Sequence, residues 1–361
     1  MRIAFVHEYL NQFGGAERTL SVLSEMFPSA PIYTLIYSEQ ATKGLFKDRN
    51  IKTSFLQKFP NAVSHHEWYP MLMPLAMEQF DFSEYDVIIS VSASFAKGVI
   101  TKPTTRHICY CLTPPRFLWD NSQKFSKDFG FPFIIKLVSQ PLISYLRMWD
   151  QSAADRVDEF WKISNFVGRR IEKYYHKKAH LIYPPVDISK FPLAQEYPRD
   201  YFLMAGRLVS YKKFDVAVRA FNKLGLPLKI IGTGPELKKL KKMSSPNVQF
   251  LGQVSDEKLG EYYRGAKALI FPQEEDFGIV PLEAMASGRP VISYRGGGAE
   301  ETIAENKTGI FFDQQTPESI IEAVKSFSSK KFDPSECRAQ AEKFSIEVFK
   351  DAILSAINLK P

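Results

Sequence analysis

Short apolar runs of strand character alternate with helix-patterned stretches along this chain. The alternation runs its course, stops at two adjacent prolines, Pro184-Pro185, and starts again. Before the prolines, "RIAFVHEY", "APIYTLIY", "YDVIISVS" and "RHICYCL" read as strands. "GGAERTLSVLSEMF", "QPLISYLRMWDQSAADRVD" and "SNFVGRRIEKYY" carry apolar residues at helical spacing, as with Ala16, Leu20, Leu23 and Phe27. After them come "YFLMAGRL", "KKFDVAVRAFNKL", "PLKIIGTG", "ELKKLKKM", "VQFLGQV", "SDEKLGEYYRGA" and "KALIFPQ" in the same rhythm. Strands separated by helices of this length build βαβ units on a parallel sheet. Two prolines in a row fit neither a helix interior nor a central strand, so "HLIYPPVDISKFP" reads as a linker. The expected fold is α/β, with two Rossmann-like doubly wound halves. In such sheets ligands sit beyond the carboxyl ends of the strands, so the residues just after each strand are where chemistry is expected.

The bulk of the sequence fits that frame. At 361 residues, 45% of them hydrophobic and 24% charged, the chain has the length and composition of a two-domain globular protein. No apolar run reaches the ~18 residues of a membrane span, and "MRIAFVHEYL" is too polar for a signal peptide, so a cytoplasmic location is expected. Three cysteines, Cys109, Cys111 and Cys337, make no disulfide framework and no zinc spacing; Cys109 and Cys111 fit a reduced, half-buried strand. The net charge of +7 favours anionic partners. It is dispersed among acidic residues and forms no single stripe, which disfavours nucleic acid.

Four stretches carry candidate chemistry. In "AGRLVSYKKFD", Gly206 and Arg207 follow a strand and Lys212 lies five residues beyond Arg207. A guanidinium fork and a flexible ammonium suit a diphosphate, although solvated loop cations have the same appearance. In "EEDFGIVPLE", Pro281 suits the first position of a short helix running to about Ser287, closed by Gly288. Gly278, Ile279 and Val280 would then offer backbone N–H groups, with Glu275 on the preceding loop and Glu283 in the first turn. Each carboxylate can accept two hydrogen bonds from a vicinal diol, so the pair suits a nucleotide sugar. Stabilisation of the helix dipole by Glu283 is the plainer alternative. In "GGAER", Gly14 and Gly15 precede a helix and let backbone approach a ligand closely, or merely make a tight turn. "YRGGGAEETI" looks like a further phosphate-facing loop. "IIGTGPEL" lacks the third glycine of a dinucleotide fingerprint and reads as a turn, which disfavours a nicotinamide oxidoreductase.

These segments together resemble a known family. "EEDFGIVPLEAMASGRPVI" is similar to the E-x7-E signature of family 4 retaining glycosyltransferases of the GT-B fold. "GGAERTL", "GRLVSYKKFD", "NVQFLGQVSDEKLGEYYRGAKALIFP" and "GGGAEETI" follow that family's order over essentially the whole chain. The resemblance implies two Rossmann-like domains facing each other across a cleft. Residues 1–184 would be acceptor-side and 185–344 would bind the nucleotide sugar, with a helix at about 345–361 crossing back to the first domain. "YPPVD" would be the linker. Arg207 and Lys212 would bind the donor diphosphate. Glu275 and the backbone of Phe277, Gly278, Ile279 and Val280 would hold the sugar, and Glu283 the ribose. Gly14 and Gly15 would face donor and acceptor, with Gly206 opening the phosphate loop. No metal and no separate cofactor are implied; the co-substrate would be a GDP-, UDP- or dTDP-linked sugar.

One departure stands out. Many relatives have Cys-His-(Ser/Thr)-Pro where this chain has "CYCLTPPRFLWD", with Leu112 at the histidine position. In relatives that histidine reaches toward the donor hexose, commonly its 6-hydroxyl. A hydroxyl buried against leucine would go unpaired at a cost of roughly 1–3 kcal/mol. The expected consequence is a 6-deoxyhexose donor, or replacement of the missing group by Thr113 or Arg116. The acceptor would be a saccharide or lipid-linked saccharide. "HHEWYPMLMP" and "FGFPFIIKLVSQPLISYLRMW" combine aromatic and aliphatic residues with scattered cations, as for docking on an anionic membrane face or for an ordinary core helix with a solvated edge. Glycosyl transfer in cell-surface polysaccharide or O-antigen assembly is the expected function. A non-catalytic nucleotide-sugar-binding protein on the same fold is the rival.

Overall fold

In the computed structural model of the chain, residues 1–120, 133–193 and 200–358 are described. The chain divides into two compact units, Met1–Tyr183 and Pro184–Pro361.

The first unit is built on seven strands: β1 (Ile3–Leu10), β2 (Ile32–Tyr37), β3 (Ile51–Thr53), β4 (Val87–Ser92), β5 (Arg106–Cys111), β6 (Glu159–Lys162) and β7 (Ala179–Leu181). They pair in the order β3-β2-β1-β4-β5-β6-β7, and every pairing is parallel. Strands covered on both faces read as continuous apolar runs, and β4 is buried at all six of its positions. One face carries a core of Val6, Ile88, Met73, Met77, Phe95 and Leu146. The helix Gly15–Met26 buries Leu20 and Leu23. Cys109 and Cys111 are fully buried, not half-buried as expected, because β5 lies inside the sheet between β4 and β6. The helix expected from Gln140 runs over Phe133–Asp155 with Pro141 inside it. Residues 129–132 of the aromatic stretch, and 359–361 of the terminal one, lie outside the described residues.

The second unit holds six parallel strands: β8 (Phe202–Ala205), β9 (Leu228–Ile231), β10 (Val248–Gly252), β11 (Leu269–Phe271), β12 (Val291–Tyr294) and β13 (Gly309–Phe312). Their order is β10-β9-β8-β11-β12-β13. Helices Phe214–Leu224 and Pro317–Ser328 join β8, β11 and β12 in one core of Phe202, Phe221, Ile270, Ile292 and Val324. The helix Ile279–Ala286 packs on β11 and β12 and against Pro334–Glu342. The last helix, Ile346–Asn358, buries Phe349, Ile353 and Ile357, one stripe of its surface.

Both sheets reverse strand order once, between β1 and β4 in the first and between β8 and β11 in the second. A crevice opens at such a reversal because the flanking crossovers depart in opposite directions. The loops leaving β1, β4, β8 and β11 therefore define the two places where a ligand can be held.

Candidate active site

In the second unit the loops after β8 and β11 are neighbours, and they bring two of the expected residues into contact. Lys212 Nζ donates to Glu275 Oε1 at 2.8 Å, with both side chains mostly covered (14% and 21% exposed). Burial works against the lysine's charge, but the Glu275 carboxylate beside it prevails and raises the ammonium above its ordinary pKa. Lys212 is thus a fixed cation, positioned over Gly206. A side chain at Gly206 would begin 3.3 Å from Lys212 Nζ, so the glycine leaves the ammonium its room. Gln273 Nε2 donates to the same Glu275 oxygen at 3.2 Å. Arg207 is exposed, and its guanidinium has no ion pair among the described residues, so it is available to an anion.

The helix after β11 starts earlier than expected. It spans Ile279–Ala286, and Gly278 is its N-cap in the left-handed region at φ 94°. Pro281 is therefore its third residue, not its first; that position is tolerated because the first-turn N–H groups have no partner in the helix anyway. Glu283 falls outside the first turn, so the helix-dipole account of it does not apply. It is buried, and its Oε2 accepts from the Tyr263 hydroxyl at 2.9 Å. Phe277 is buried with its ring 5.6 Å from that of Phe344, which leaves its backbone to shape the loop. The N–H groups of Ile279 and Val280 point out of the helix start, beside Gly278.

The glycines after β12 back this loop. A Cβ on Gly297 would lie 2.2 Å from the Glu275 carbonyl, and one on Gly298 would lie 2.3 Å from Phe277 Cα. "YRGGGAEETI" accordingly supports the Glu275–Phe277 backbone, which Gly298 N–H also holds by donating to Glu275 O at 2.9 Å. The "GTG" turn after β9 serves the same purpose for the Gly206 loop, with Gly232 against Gly206 O.

In the first unit, Gly14 caps the Gly15–Met26 helix and its N–H donates to Glu17 Oε2 at 2.8 Å. Leu112 sits half-buried at the end of β5, its N–H on Ser92 O at 2.8 Å. Thr113 accepts a hydrogen bond from Arg170 Nη1, and Arg170 Nη2 also holds Pro114 O at 3.0 Å and Asp120 Oδ2 at 2.5 Å. Arg170 thereby pins the "LTPPRFLWD" loop, and Arg116 opens the short helix Arg116–Trp119 within it. The expected residues divide between the two units. Gly14, Gly15, Leu112, Thr113 and Arg116 are in the first unit; Gly206, Arg207, Lys212, Glu275, Phe277–Val280 and Glu283 are in the second.

Tyr263, Arg170 and Glu17 are site-supporting residues that the sequence reading passed over. Only Glu17 had a legible signal, its place three residues after the cap, where a glutamate reaches back to the cap N–H. Among the described residues no three His, Cys, Asp or Glu side chains gather as metal ligands.

Two parallel-sheet Rossmann-like units, each with one reversal of strand order, make the GT-B architecture. The chain is similar over 99% of its length, and 100% of the other chain, to Anabaena HepE crystallised with UDP and glucose, at a TM-score of 0.72 and 16% identity. Residues 187–344 match the family model of glycosyl transferases group 1, so the second unit carries a domain of that family. Among curated relatives, a GDP-mannose-dependent alpha-(1-6)-phosphatidylinositol monomannoside mannosyltransferase of Mycobacterium tuberculosis is 30% identical, over 47% of this chain and 52% of its own. The alpha-1,3/1,6-mannosyltransferase ALG2 of Mus musculus is 27% identical, over 75% of this chain and 72% of its own. An uncharacterized glycosyltransferase of Methanocaldococcus jannaschii is 26% identical, over 56% and 59%. The chain spans only about half the length of the archaeal and mycobacterial relatives.

Proposed function

We propose that the protein is a retaining hexosyltransferase. It would move a hexose from a nucleoside-diphosphate donor to a saccharide or lipid-linked saccharide in cell-surface polysaccharide assembly. The observation that carries this reading is the Lys212–Glu275 pair, fixed beside the start of the Ile279–Ala286 helix in the group 1 domain. A cation and a diol acceptor 2.8 Å apart match the boundary between a diphosphate and the sugar attached to it. In the proposed step the bond from the sugar's anomeric carbon to the β-phosphate oxygen breaks. The acceptor hydroxyl bonds to that carbon on the same face, and its proton passes to the departing phosphate. Arg207 and Lys212 stabilise the charge that develops on the diphosphate, the main contribution asked of the protein. Glu275 and the N–H groups of Gly278–Val280 hold the sugar; Glu283, oriented by Tyr263, takes the ribose diol.

Two relatives named as mannosyltransferases make GDP-mannose the first donor to try. The Leu112 side chain can neither donate nor accept a hydrogen bond, which favours the 6-deoxy counterpart of that donor. Exposed Trp68, Leu75, Tyr145 and Met148 on the first unit support peripheral docking on an anionic membrane that carries the acceptor. No described helix is long and apolar enough to cross a membrane.

The test is nucleotide release with GDP-, UDP- and dTDP-hexoses and their 6-deoxy analogues, with and without acceptor, and NMR of the product's anomeric centre. Acceptor-dependent release with retained configuration supports the reading. Binding without release assigns the protein to the rival, a non-catalytic nucleotide-sugar-binding protein. A 6-hydroxylated donor that outruns every 6-deoxy analogue removes the role given to Leu112. Failure to float with anionic vesicles at low salt removes the membrane surface.

A further inference from the structure

A histidine buried at the strand-order reversal of the first unit has no part in the proposed transfer. His7, on β1, is 3% exposed, and its Nδ1 lies 2.8 Å from the Val91 carbonyl oxygen of β4. A carbonyl can only accept, so Nδ1 carries a proton. Nε2 then faces Glu17 Oε1 at 3.7 Å, and Glu8 Oε2 lies 3.7 Å from Nδ1.

Each of these buried carboxylates clamps one loop. Glu8 Oε1 accepts from Ser92 Oγ at 2.8 Å and from the N–H groups of Ala93, Ser94 and Ala96 at 2.9, 2.8 and 3.1 Å, fixing the loop after β4. Glu17 accepts from Gly14 N–H at 2.8 Å and from Gln12 Nε2 at 3.0 Å, fixing the glycine loop after β1. His7 stands between the two clamps. A neutral ring protonated on Nδ1 would turn the Nε2 lone pair toward the Glu17 carboxylate, whereas an imidazolium turns an N–H toward it.

We infer that His7 is a positioning residue: as an imidazolium between Glu8 and Glu17, it keeps the Glu17 carboxylate on Gly14 N–H and so holds the Gly14–Gly15 loop in place. The electrostatics agree. Burial opposes the charge on His7, but the Glu17 and Glu8 carboxylates on either side of the ring prevail and raise its pKa above 6.5. Burial likewise works against ionised Glu17, and His7 reverses it, leaving Glu17 below its ordinary value. Among the described residues the ionisable groups facing His7 are Glu8 from its own strand and Glu17 from the Gly15–Met26 helix; β4 offers only the Val91 carbonyl. Because the pKa is raised on folding, the interaction is complete below about pH 6.5 and fades as pH rises through the higher folded value.

The decisive experiment follows the Gly14 and Gly15 amide resonances of the full 15N-labelled chain from about pH 5.5 to 9.5, spanning the imidazole range and beyond. His7→Asn keeps a donor for Val91 O but carries no charge. Wild type should titrate at Gly14 with a midpoint above 6.5, and His7→Asn should be flat, with Gly14 N–H exchange faster by about tenfold or more, the equivalent of one charge-assisted hydrogen bond. A flat wild-type Gly14, or the same titration in His7→Asn, overturns the inference. If the variant does not fold, the wild-type curve and the 15N shifts of the His7 ring decide it, since a ring neutral at pH 6.5 is incompatible with it. These readouts need no donor or acceptor and stand whether or not the protein transfers sugar. The consequence for catalysis rests on the proposed transfer. Acceptor KM should rise above the midpoint in wild type and lose that limb in His7→Asn; a limb that persists in the variant overturns the inference.

Discussion

Removing Lys212 should do two separable things, because the ammonium is both one half of a covered ion pair and the proposed diphosphate cation. With no ligand, Lys212→Met leaves Glu275 with Gln273 Nε2, 3.2 Å away, as its hydrogen-bond donor. Two unit charges about 4 Å apart attract by about 4 kcal/mol at an effective dielectric of 20, and desolvation offsets much of that. A net coupling of about 1–3 kcal/mol remains, the range of a hydrogen bond to a charged group. Lys212→Met and Glu275→Gln should therefore each destabilise the second unit, and the double variant should cost less than their sum by about 1 kcal/mol or more. All four tryptophans lie before residue 184, so tryptophan fluorescence reports the first unit. Amide hydrogen exchange at β8 and β11 is the suitable assay. Additivity within about 0.5 kcal/mol would refute the pairing. In turnover, Lys212→Met should lower kcat/KM by about 10²–10³-fold, the usual cost of removing one transition-state charge donor. A loss under about tenfold would refute the role given to the ammonium.

Three other perturbations test the scaffold. His107 is fully buried, with Nε2 2.9 Å from Ser90 Oγ, and burial, with Arg156 adding to it, pushes its pKa down to about 3. Because the pKa is lowered on folding, stability should fall as pH drops from about 6.5 toward 3, by at most about 4–5 kcal/mol; denaturation midpoints across that range should fall less in His107→Gln. Lys97 forms a buried ion pair with Asp150, whose other oxygen accepts from Trp119 Nε1 and Tyr175 OH, each at 2.8 Å. Lys97→Met should cost about 3–5 kcal/mol and shift Trp119 emission, as checked by urea denaturation and fluorescence. At Gly278, φ 94° is reached only with strain by other residues, so Gly278→Ala should cost about 1–2 kcal/mol and weaken donor binding, read by calorimetry with the preferred nucleotide sugar.

The fold was legible because parallel strands buried on both faces are apolar runs, and two prolines punctuate the chain between the units. The three-residue strands β3 and β7 are the two edge strands of their sheet and carry too few residues for a pattern. Strand β13 and the helices Pro317–Ser328 and Pro334–Glu342 also went unread, although each helix begins with a capping side chain and a proline. The start of the Ile279–Ala286 helix was misplaced because Pro281 suits any first-turn position, while the left-handed backbone of Gly278 sets the boundary. The Lys212–Glu275 contact joins residues far apart in sequence, and it follows only once β8 is known to lie beside β11. The same holds for His7, which looks like an ordinary strand residue until the sheet order sets Val91 against it.

If the second unit holds a nucleoside diphosphate through Lys212, binding should depend on both the β-phosphate and the ammonium. A thermal-shift panel of nucleotides, nucleoside diphosphates and nucleotide sugars on wild type and Lys212→Ala tests it most directly. A ligand at one hundred times its Kd stabilises the folded protein by about 2.7 kcal/mol, on the order of 5–10 °C for a domain of this size. Such a shift is expected for the diphosphate and diphosphate-sugar forms of one base, with much less for the corresponding monophosphate, and it should be lost in Lys212→Ala. Equal shifts for monophosphate and diphosphate, or a shift that survives in Lys212→Ala, would contradict it.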